Sequence, residues 1–260
     1  MSILHSNNSL QATDYPAPAA FRAIQVLEVL SNHKGPMTLT EIAVAAPLPK
    51  SSALNLLVTL EATGMVRRSH GGWVLGYKAL ELGQSVLATT DLVSEFRRLV
   101  AFQPTLRGDT TLLAVLDGMD VLYLARHDGQ AQVRLASDVG RRLPAVVTGL
   151  GKAMLAALPE DELERRLATV TELPRPTRRS HRTVDELRND LRQVRSKGFA
   201  VDLEENTIGV TCFAVPLPGA LQPTAVSTTL LSNRVTPELF QRLVFELREL
   251  ARDLSVFARD

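Results

Sequence analysis

The N-terminal part of the chain alternates between helical spacing of apolar residues and short polar breaks. Apolar side chains at every third or fourth position over residues 21–30 predict an amphipathic helix. A short second helix is predicted after Thr38, because Thr38 and Glu41 have the three-residue spacing of a capping box, in which each side chain binds a free backbone N–H at the helix start. Two prolines separate it from a third helix, predicted over residues 50–63.

The third predicted helix has an apolar face and a face of short polar side chains. Its core positions follow the i, i+3, i+4, i+7 spacing: Ala53, Leu56, Leu57 and Leu60. The opposite side holds Ser51, Asn55 and Val58, with Ser52 beside them. Asn pairs with adenine and Ser with base edges or phosphate, so this face fits a DNA major groove. A solvated helix face would have the same composition.

A basic hairpin is predicted directly after this helix. Residues 65–68 and 73–75 have strand-like composition on either side of a polar turn at 69–72. A helix-turn-helix followed by such a hairpin is the arrangement of a winged helix domain, with Arg67 and Arg68 placed to contact phosphate or the minor groove. The alternative is a winged-helix protein-interaction module that does not bind DNA.

Helical spacing over 77–84 and 92–102 predicts a helix that connects two domains. After it, segments in which apolar and polar residues alternate are mixed with segments of helical spacing. Strands are predicted at residues 111–116, 121–125, 132–135, 199–203, 210–217 and 224–231, and helices at 151–158, 160–168, 184–197 and 237–257. The helix over 184–197 starts with a second capping-box pattern, Thr183 and Glu186. Strands and helices around one antiparallel sheet predict an α+β, sensor-like domain.

Composition narrows the class of protein. The formal net charge is only +1, so any DNA-binding surface has to be local. One cysteine excludes an internal disulfide framework and a cysteine-cluster metal site, and we expect no metal and no cofactor. No apolar run reaches the roughly 20 residues that span a bilayer, and no signal-peptide pattern is recognised, so we expect a cytoplasmic protein without membrane contact.

An enzyme is the rival hypothesis. Cys212, His181 and Asp202 are the residue types of a thiol nucleophile with a base and an orienting carboxylate. However, His181 lies in a basic segment that we expect to be exposed, and Cys212 is central in an apolar predicted strand, where a thiol is inert. We therefore predict no catalytic residues, with a thiol-dependent enzyme as the alternative.

Four segments together resemble the IclR family of bacterial transcription regulators. They are LPKSSALNLLVTLEATG at 48–64, TGLGKAMLA at 148–156, KGFAVDLEE at 197–205 and GVTCFAVP at 209–216. The resemblance covers about residues 20–257. It implies a winged helix-turn-helix joined by a helix to a GAF-like effector domain. It also implies dimers or tetramers that bind an operator in double-stranded DNA and respond to a small effector, often an aromatic organic acid, to control carbon-source degradation.

The expected domains follow from this resemblance. They are a disordered tail at 1–18, a winged helix-turn-helix at 19–80, a linker helix at 81–104 and an effector-binding domain at 105–260. The residues predicted to contact DNA are Thr38, Thr40, Lys50, Ser51, Ser52, Asn55, Arg67 and Arg68. The family often has Arg at the position of Asn55 and His at that of Leu54, so Lys50 and the two wing arginines must supply more of the phosphate anchoring.

The effector contacts carried over from the family motifs form a second set. They are Gly149, Leu150, Asp202, Val210, Cys212, Ser227 and Thr229. A helix opened by glycines offers backbone N–H groups to a carboxylate, and two strand hydroxyls add donors. Asp202 would repel an acid unless it is protonated or binds a ligand hydroxyl. The same residues are also compatible with ordinary tight packing of glycines and strand side chains.

Overall fold

The structure is a computed structural model that describes residues 15–88, 91–129 and 138–258. The chain divides into two compact units, residues 1–89 and residues 90–260. We describe each unit by itself.

The N-terminal unit is a winged helix-turn-helix, as predicted. Its elements are α1 (Pro18–Asn32), α2 (Leu39–Ala45), α3 (Lys50–Ala62), β1 (Val66–Ser69), β2 (Gly72–Leu75) and α4 (Tyr77–Ala88). The two strands pair antiparallel in a two-stranded sheet. The core joins the three helices to the wing through buried side chains that include Val26, Ile42, Leu57 and Trp73.

Local signals explain where these elements begin and end. The Thr38 hydroxyl accepts from the Glu41 amide at 3.3 Å, and the Thr38 amide donates to the Glu41 carboxylate at 2.7 Å, which confirms the capping box. Gly64 follows α3 with a φ of +76°. Gly72 is required for another reason, since a Cβ there would lie 2.3 Å from the carbonyl oxygen of Met37, whose backbone pairs with that of Trp73.

Two boundaries differ from the prediction. Helix α1 begins at Pro18, within the predicted tail, because proline suits a first helical turn; residues 1–14 lie outside the described part. In place of one linker helix over 81–104, the structure has α4 and a separate α5 (Leu92–Phe102).

In its described residues, the C-terminal unit is built on one antiparallel sheet of six strands in the order β5-β4-β3-β8-β7-β6. Its strands are β3 (Thr110–Asp117), β4 (Asp120–His127), β5 (Arg142–Pro144), β6 (Ala200–Leu203), β7 (Val210–Pro216) and β8 (Thr224–Leu231). Its helices are α5, α6 (Gly149–Ala157), α7 (Glu160–Leu167), α8 (Val184–Lys197) and α9 (Pro237–Leu254). This mixed architecture confirms the predicted α+β class.

Helices cover both faces of the sheet. On one face α6 packs so closely that a Cβ on Gly149 would lie 3.5 Å from the Cβ atoms of Cys212 and Ala214. On the other face Phe240 of α9 meets Phe213 edge to face, with ring centroids 5.4 Å apart. Because side chains alternate along a strand, residues 202, 212 and 229 face α6 whereas residue 213 faces α9.

Several details of this unit were not predicted. The edge strand β5 was missed because it has only three residues, and the candidate strand at 132–135 lies outside the described residues. The last helix ends at Leu254, and a short 3₁₀ helix, Ser255–Ala258, replaces its predicted final turn. The second capping box is only half present, since the Glu186 carboxylate accepts from the Arg182 amide instead of from Thr183.

No single helix in the described ranges is long and apolar enough to cross a membrane. Only the pair α2 and α3, bent at 107°, meets the length and composition criteria together. The apolar residues of this pair, such as Ile42 and Leu57, are buried in the N-terminal core.

Candidate functional sites

The polar side of α3 is open to solvent. Ser51, Asn55 and Val58 are exposed and Ser52 is half-buried, whereas Ala53 and Leu57 on the opposite side are completely buried. Val58 keeps 51% of its surface accessible. The sequence therefore predicted the orientation of this helix correctly, apart from Leu56, which is only partly buried.

The wing places its two arginines on exposed positions of β1. The Arg68 guanidinium lies over the Trp73 ring, 4.2 Å from its centroid, and its Nε is 3.5 Å from a carboxylate oxygen of Glu61. The Arg67 guanidinium lies 5.2 Å from the centroid of the Tyr77 ring. Stacking on aromatic rings restrains both side chains and leaves their charge at the surface.

The threonines at the start of α2 are both exposed, but they are not equivalent. The Thr38 hydroxyl is engaged by Glu41, to whose carboxylate it donates at 2.8 Å. The amide and hydroxyl of Thr38 hold the pKa of Glu41 below its usual value. The main role of Thr38 is therefore to cap α2, whereas Thr40 has an exposed side chain in the first turn of the helix.

The register of the strands brings together most of the residues that were predicted to contact an effector. Asp202 of β6 pairs with Cys212 of β7, and Cys212 pairs with Thr229 of β8, so the three side chains form one row on the α6 face. The Thr229 hydroxyl donates to the Cys212 sulfur at 3.2 Å. Ser227 lies on the same face two residues along β8, opposite Ala214.

The N-terminus of α6 closes over this row. The helix starts at Gly149, and the Thr148 hydroxyl accepts from the Gly151 amide at 3.0 Å. Gly149 and Leu150 are both buried. Val210, two residues from Cys212 on the same face of β7, is also buried.

Asp202 is buried in an unusual environment. One carboxylate oxygen accepts from the Glu205 amide at 2.7 Å and from the Asn206 amide at 3.3 Å. Burial, together with the nearby Glu205 charge, raises the pKa of Asp202 to about 7. The carboxyl is therefore only partly ionised at neutral pH, which reduces the expected repulsion of an acidic ligand.

Cys212 does not have the properties of a nucleophile. Burial raises the pKa of its thiol, and the neighbouring Asp202 raises it further. The thiol therefore stays protonated at neutral pH, and a thiolate is the reactive form. This agrees with the inert thiol expected from its place in an apolar strand.

Sequence reasoning missed Tyr123, which belongs to the same face of the sheet. It is buried on β4, and its pKa is raised by burial and by the proximity of Cys212 and Asp202. Alternation along β4 predicts that the side chain points inward. The pairing of β4 with β3 shifts register between Leu113 and Ala114, and this shift determines which residues surround the Tyr123 side chain. No sequence pattern indicated the shift.

A buried ion-pair cluster beside this row was also missed. Lys152 of α6 has no exposed surface, and its Nζ donates to both carboxylate oxygens of Glu205 at 2.6 and 2.7 Å and to the Val201 carbonyl at 2.7 Å. The same Nζ lies 2.9 Å from a carboxylate oxygen of Asp190. Burial alone would lower the pKa of Lys152, but the two carboxylates outweigh it and the pKa is raised.

His181 belongs to this cluster. The loop that carries it is exposed at Arg178, Arg179 and Arg182, as predicted, but His181 itself is largely buried. Its Nε2 is 3.5 Å from Asp190 Oδ2, and its Nδ1 is 3.7 Å from Glu205 Oε2. The loop is held down because the buried Ser180 hydroxyl donates to the Glu205 carbonyl at 2.7 Å. Ligand atoms of His181, Asp190 and Glu205 lie within 4.8 Å of one another, as at a metal site, but the Lys152 ammonium already supplies the positive charge there.

Comparison with known proteins places both units in one family. A profile described as the IclR helix-turn-helix domain matches residues 19–70, and one described as "Bacterial transcriptional regulator IclR C-terminal" matches residues 84–256. The HTH-type transcriptional regulator XynR of Escherichia coli (strain K12) is 32% identical over 203 residues, which cover 75% of this chain and 78% of XynR.

Solved structures show the same fold over nearly the whole chain. An IclR transcriptional regulator from Alicyclobacillus acidocaldarius has a TM-score of 0.81 at 27% identity, covering 94% of this chain and 100% of that one. An IclR homologue from Microbacterium hydrocarbonoxydans, solved with 4-hydroxybenzoate, has a TM-score of 0.75 at 24% identity, covering 93% and 99% of the two chains.

Proposed function

The chain belongs to the IclR family of bacterial transcriptional regulators, and on that premise we propose that it binds an operator through α3 and the wing and that a small organic acid changes this affinity. The family consists of DNA-binding regulators with a helix-turn-helix domain, not of enzymes. Neither the thiol-dependent enzyme nor the protein-interaction module is supported. Because a regulator of this kind acts on the chromosome, we propose that it works in the bacterial cytoplasm.

The exposed polar side of α3 is the observation that supports DNA reading. Ser51, Ser52 and Asn55 offer hydrogen-bonding groups to base edges, and Lys50 stands at the first residue of the helix. Arg67 and Arg68 hold positive charge on the adjacent wing, where they fit phosphate contact. Thr38 and Thr40, at the start of α2, complete the proposed contact set.

We predict that Asn55→Ala weakens binding to the selected operator by about 1–3 kcal/mol and relaxes the base preference at one position, because a bidentate pair with adenine is lost. The full chain would first select its site from a library of randomised DNA duplexes, and affinities would then be measured by fluorescence anisotropy. Arg67→Ala is the matched comparison. It should weaken binding to every sequence alike and flatten the salt dependence. An equal loss on all sequences for Asn55→Ala would contradict base reading.

A dimer is the proposed functional unit, with tetramers formed through the C-terminal units. One winged helix makes too few contacts for specific binding, and two half-sites multiply them. The N-terminal unit exposes several large apolar side chains outside its proposed DNA surface: Ile24, Leu80 and Leu82, which are 51–60% accessible. Apolar side chains on α1 and α4 are available to bury against a second copy.

The proposed effector site lies between the start of α6 and the row on β6, β7 and β8. It comprises Gly149, Leu150, Asp202, Val210, Cys212, Ser227 and Thr229, with Tyr123 added from β4. Hydroxyl donors, a helix N-terminus and a carboxyl with a pKa near 7 suit an organic acid with a second polar group. The Microbacterium relative solved with 4-hydroxybenzoate supports a ligand of this class.

We predict that the double substitution Ser227→Ala and Thr229→Val weakens effector binding by about ten- to hundredfold, because two hydrogen bonds are lost. Binding of 4-hydroxybenzoate and other small organic acids would be measured by calorimetry with and without operator DNA. Thr228→Val is the matched control, since Thr228 is equally buried on the same strand but points to the opposite face. The site is wrong if an acid that shifts DNA affinity binds the double variant as tightly as the original chain.

A further inference from the structure

A large apolar side chain, that of Val58, stands in the middle of the exposed stripe on α3. At 100° per residue, Ser51, Asn55, Val58 and Ala62 lie opposite the buried residues of the helix. Val58 is 51% exposed, and a β-branched residue there is a poorer helix former than alanine. Neither the core nor helix propensity accounts for a valine at this position.

The stripe favours some bases over others because it carries no charged side chain. Helix α3 has one cation, Lys50 at its first residue, and one anion, Glu61, which is paired with Arg68 at 3.5 Å. Guanine is read mostly by Arg or Lys, and cytosine by Asp or Glu, and the stripe offers neither kind of side chain. Adenine is read by Asn or Gln, and the C5-methyl group of thymine by an apolar contact. Asn55 and Val58 supply these two chemistries.

The spacing of the two side chains is of the same order as the spacing of base pairs. Three residues of helix rise by about 4.5 Å, and successive base pairs are separated by about 3.4 Å. Asn55 and Val58 also lie on the same side of α3, one turn apart. When Asn55 meets one base pair, the side chain of Val58 is therefore close enough to reach a neighbouring pair.

We propose that Val58 recognises the methyl group of a thymine next to the adenine that Asn55 reads, so that the centre of each half-site consists of A·T pairs. This inference rests on the proposed entry of α3 into the major groove. The Val58 side chain cannot hydrogen-bond to a base edge, so it contributes to sequence specificity through an apolar contact instead. The thymine methyl is the one apolar group that a base edge presents in the major groove.

Substitution of deoxyuridine for thymine tests the contact, because it removes only the methyl group. The full chain first selects a site from randomised duplexes, and each thymine of that site is then replaced in turn. We expect one thymine per half-site, adjacent to the adenine that is sensitive to Asn55→Ala, to cost about fourfold in affinity, the value for one buried methyl group. Val58→Ala should bind the thymine and uracil duplexes equally, and Val58→Thr, which keeps one methyl and the side-chain shape, should retain part of the difference.

Val44→Ala is the matched control. Val44 is an exposed valine of the same unit, 75% accessible on α2, and it lies outside the stripe. Its removal should leave the effect of the thymine methyl unchanged. The proposal is overturned if no uracil substitution matters, if the sensitive thymine is not next to that adenine, or if Val58→Ala responds to uracil as the original chain does. Selection that enriches no sequence at all would instead refute the proposed function on which it rests.

Discussion

Replacing Lys152 with alanine is expected to destabilise the C-terminal unit by about 3–5 kcal/mol, the usual cost of leaving a buried charge without its partner. The ammonium makes three short hydrogen bonds, two of them to Glu205, and lies 2.9 Å from Asp190. Without it, the carboxylates of Asp190 and Glu205 would face each other beside His181 in a largely buried site. The Val201 carbonyl would also lose its donor.

Equilibrium denaturation followed by circular dichroism would measure this effect. Lys197→Ala is the control, because Lys197 is an exposed lysine at the end of α8 and its removal should change the free energy of unfolding by less than about 0.5 kcal/mol. Lys152→Met should be nearly as damaging as Lys152→Ala, since it restores volume but not charge. A loss below about 1 kcal/mol for both Lys152 variants would show that the cluster does not depend on the ammonium.

Asp202→Asn is expected to stabilise the protein increasingly as the pH rises from about 4 to about 7. The folded pKa of about 7 exceeds the ordinary value of 3.8, so in this range the folded chain holds a proton that the unfolded chain has lost. In the original chain, the stability that depends on a protonated Asp202 is fully present below pH 4 and is lost as the pH rises towards 7. Each pKa unit corresponds to about 1.4 kcal/mol, so the difference between the two chains reaches at most about 4 kcal/mol above pH 7.

Asparagine suits this test because its carbonyl oxygen can still accept from the Glu205 and Asn206 amides. Thermal unfolding would be recorded for both chains between pH 4 and pH 8. Asp161→Asn, at an exposed position of α7, is the control, because a surface substitution should change the free energy of unfolding by only about 0.5 kcal/mol. Parallel stability profiles for Asp202→Asn and the original chain would mean that Asp202 ionises normally in the folded protein.

Elements defined by neighbouring residues were predictable from the sequence. The capping box of α2 and the glycine after α3 act within a few residues, so their residue types alone indicate the helix boundaries. The direction of α3 was predictable for the same reason, because helical periodicity places Asn55 opposite Leu57 whatever the helix packs against. The family motifs added the residues of the second site, but not their arrangement.

Contacts between distant segments were decided only by the tertiary structure. The row of Asp202, Cys212 and Thr229 exists because β6, β7 and β8 pair in one particular register, and a shift by one residue would turn alternate side chains to the other face. Lys152 has the sequence character of a surface residue, and it is buried only because Glu205, 53 residues away, neutralises it. A charge is stable inside a protein only beside its partner, and neither periodicity nor composition reveals which distant residue that partner is.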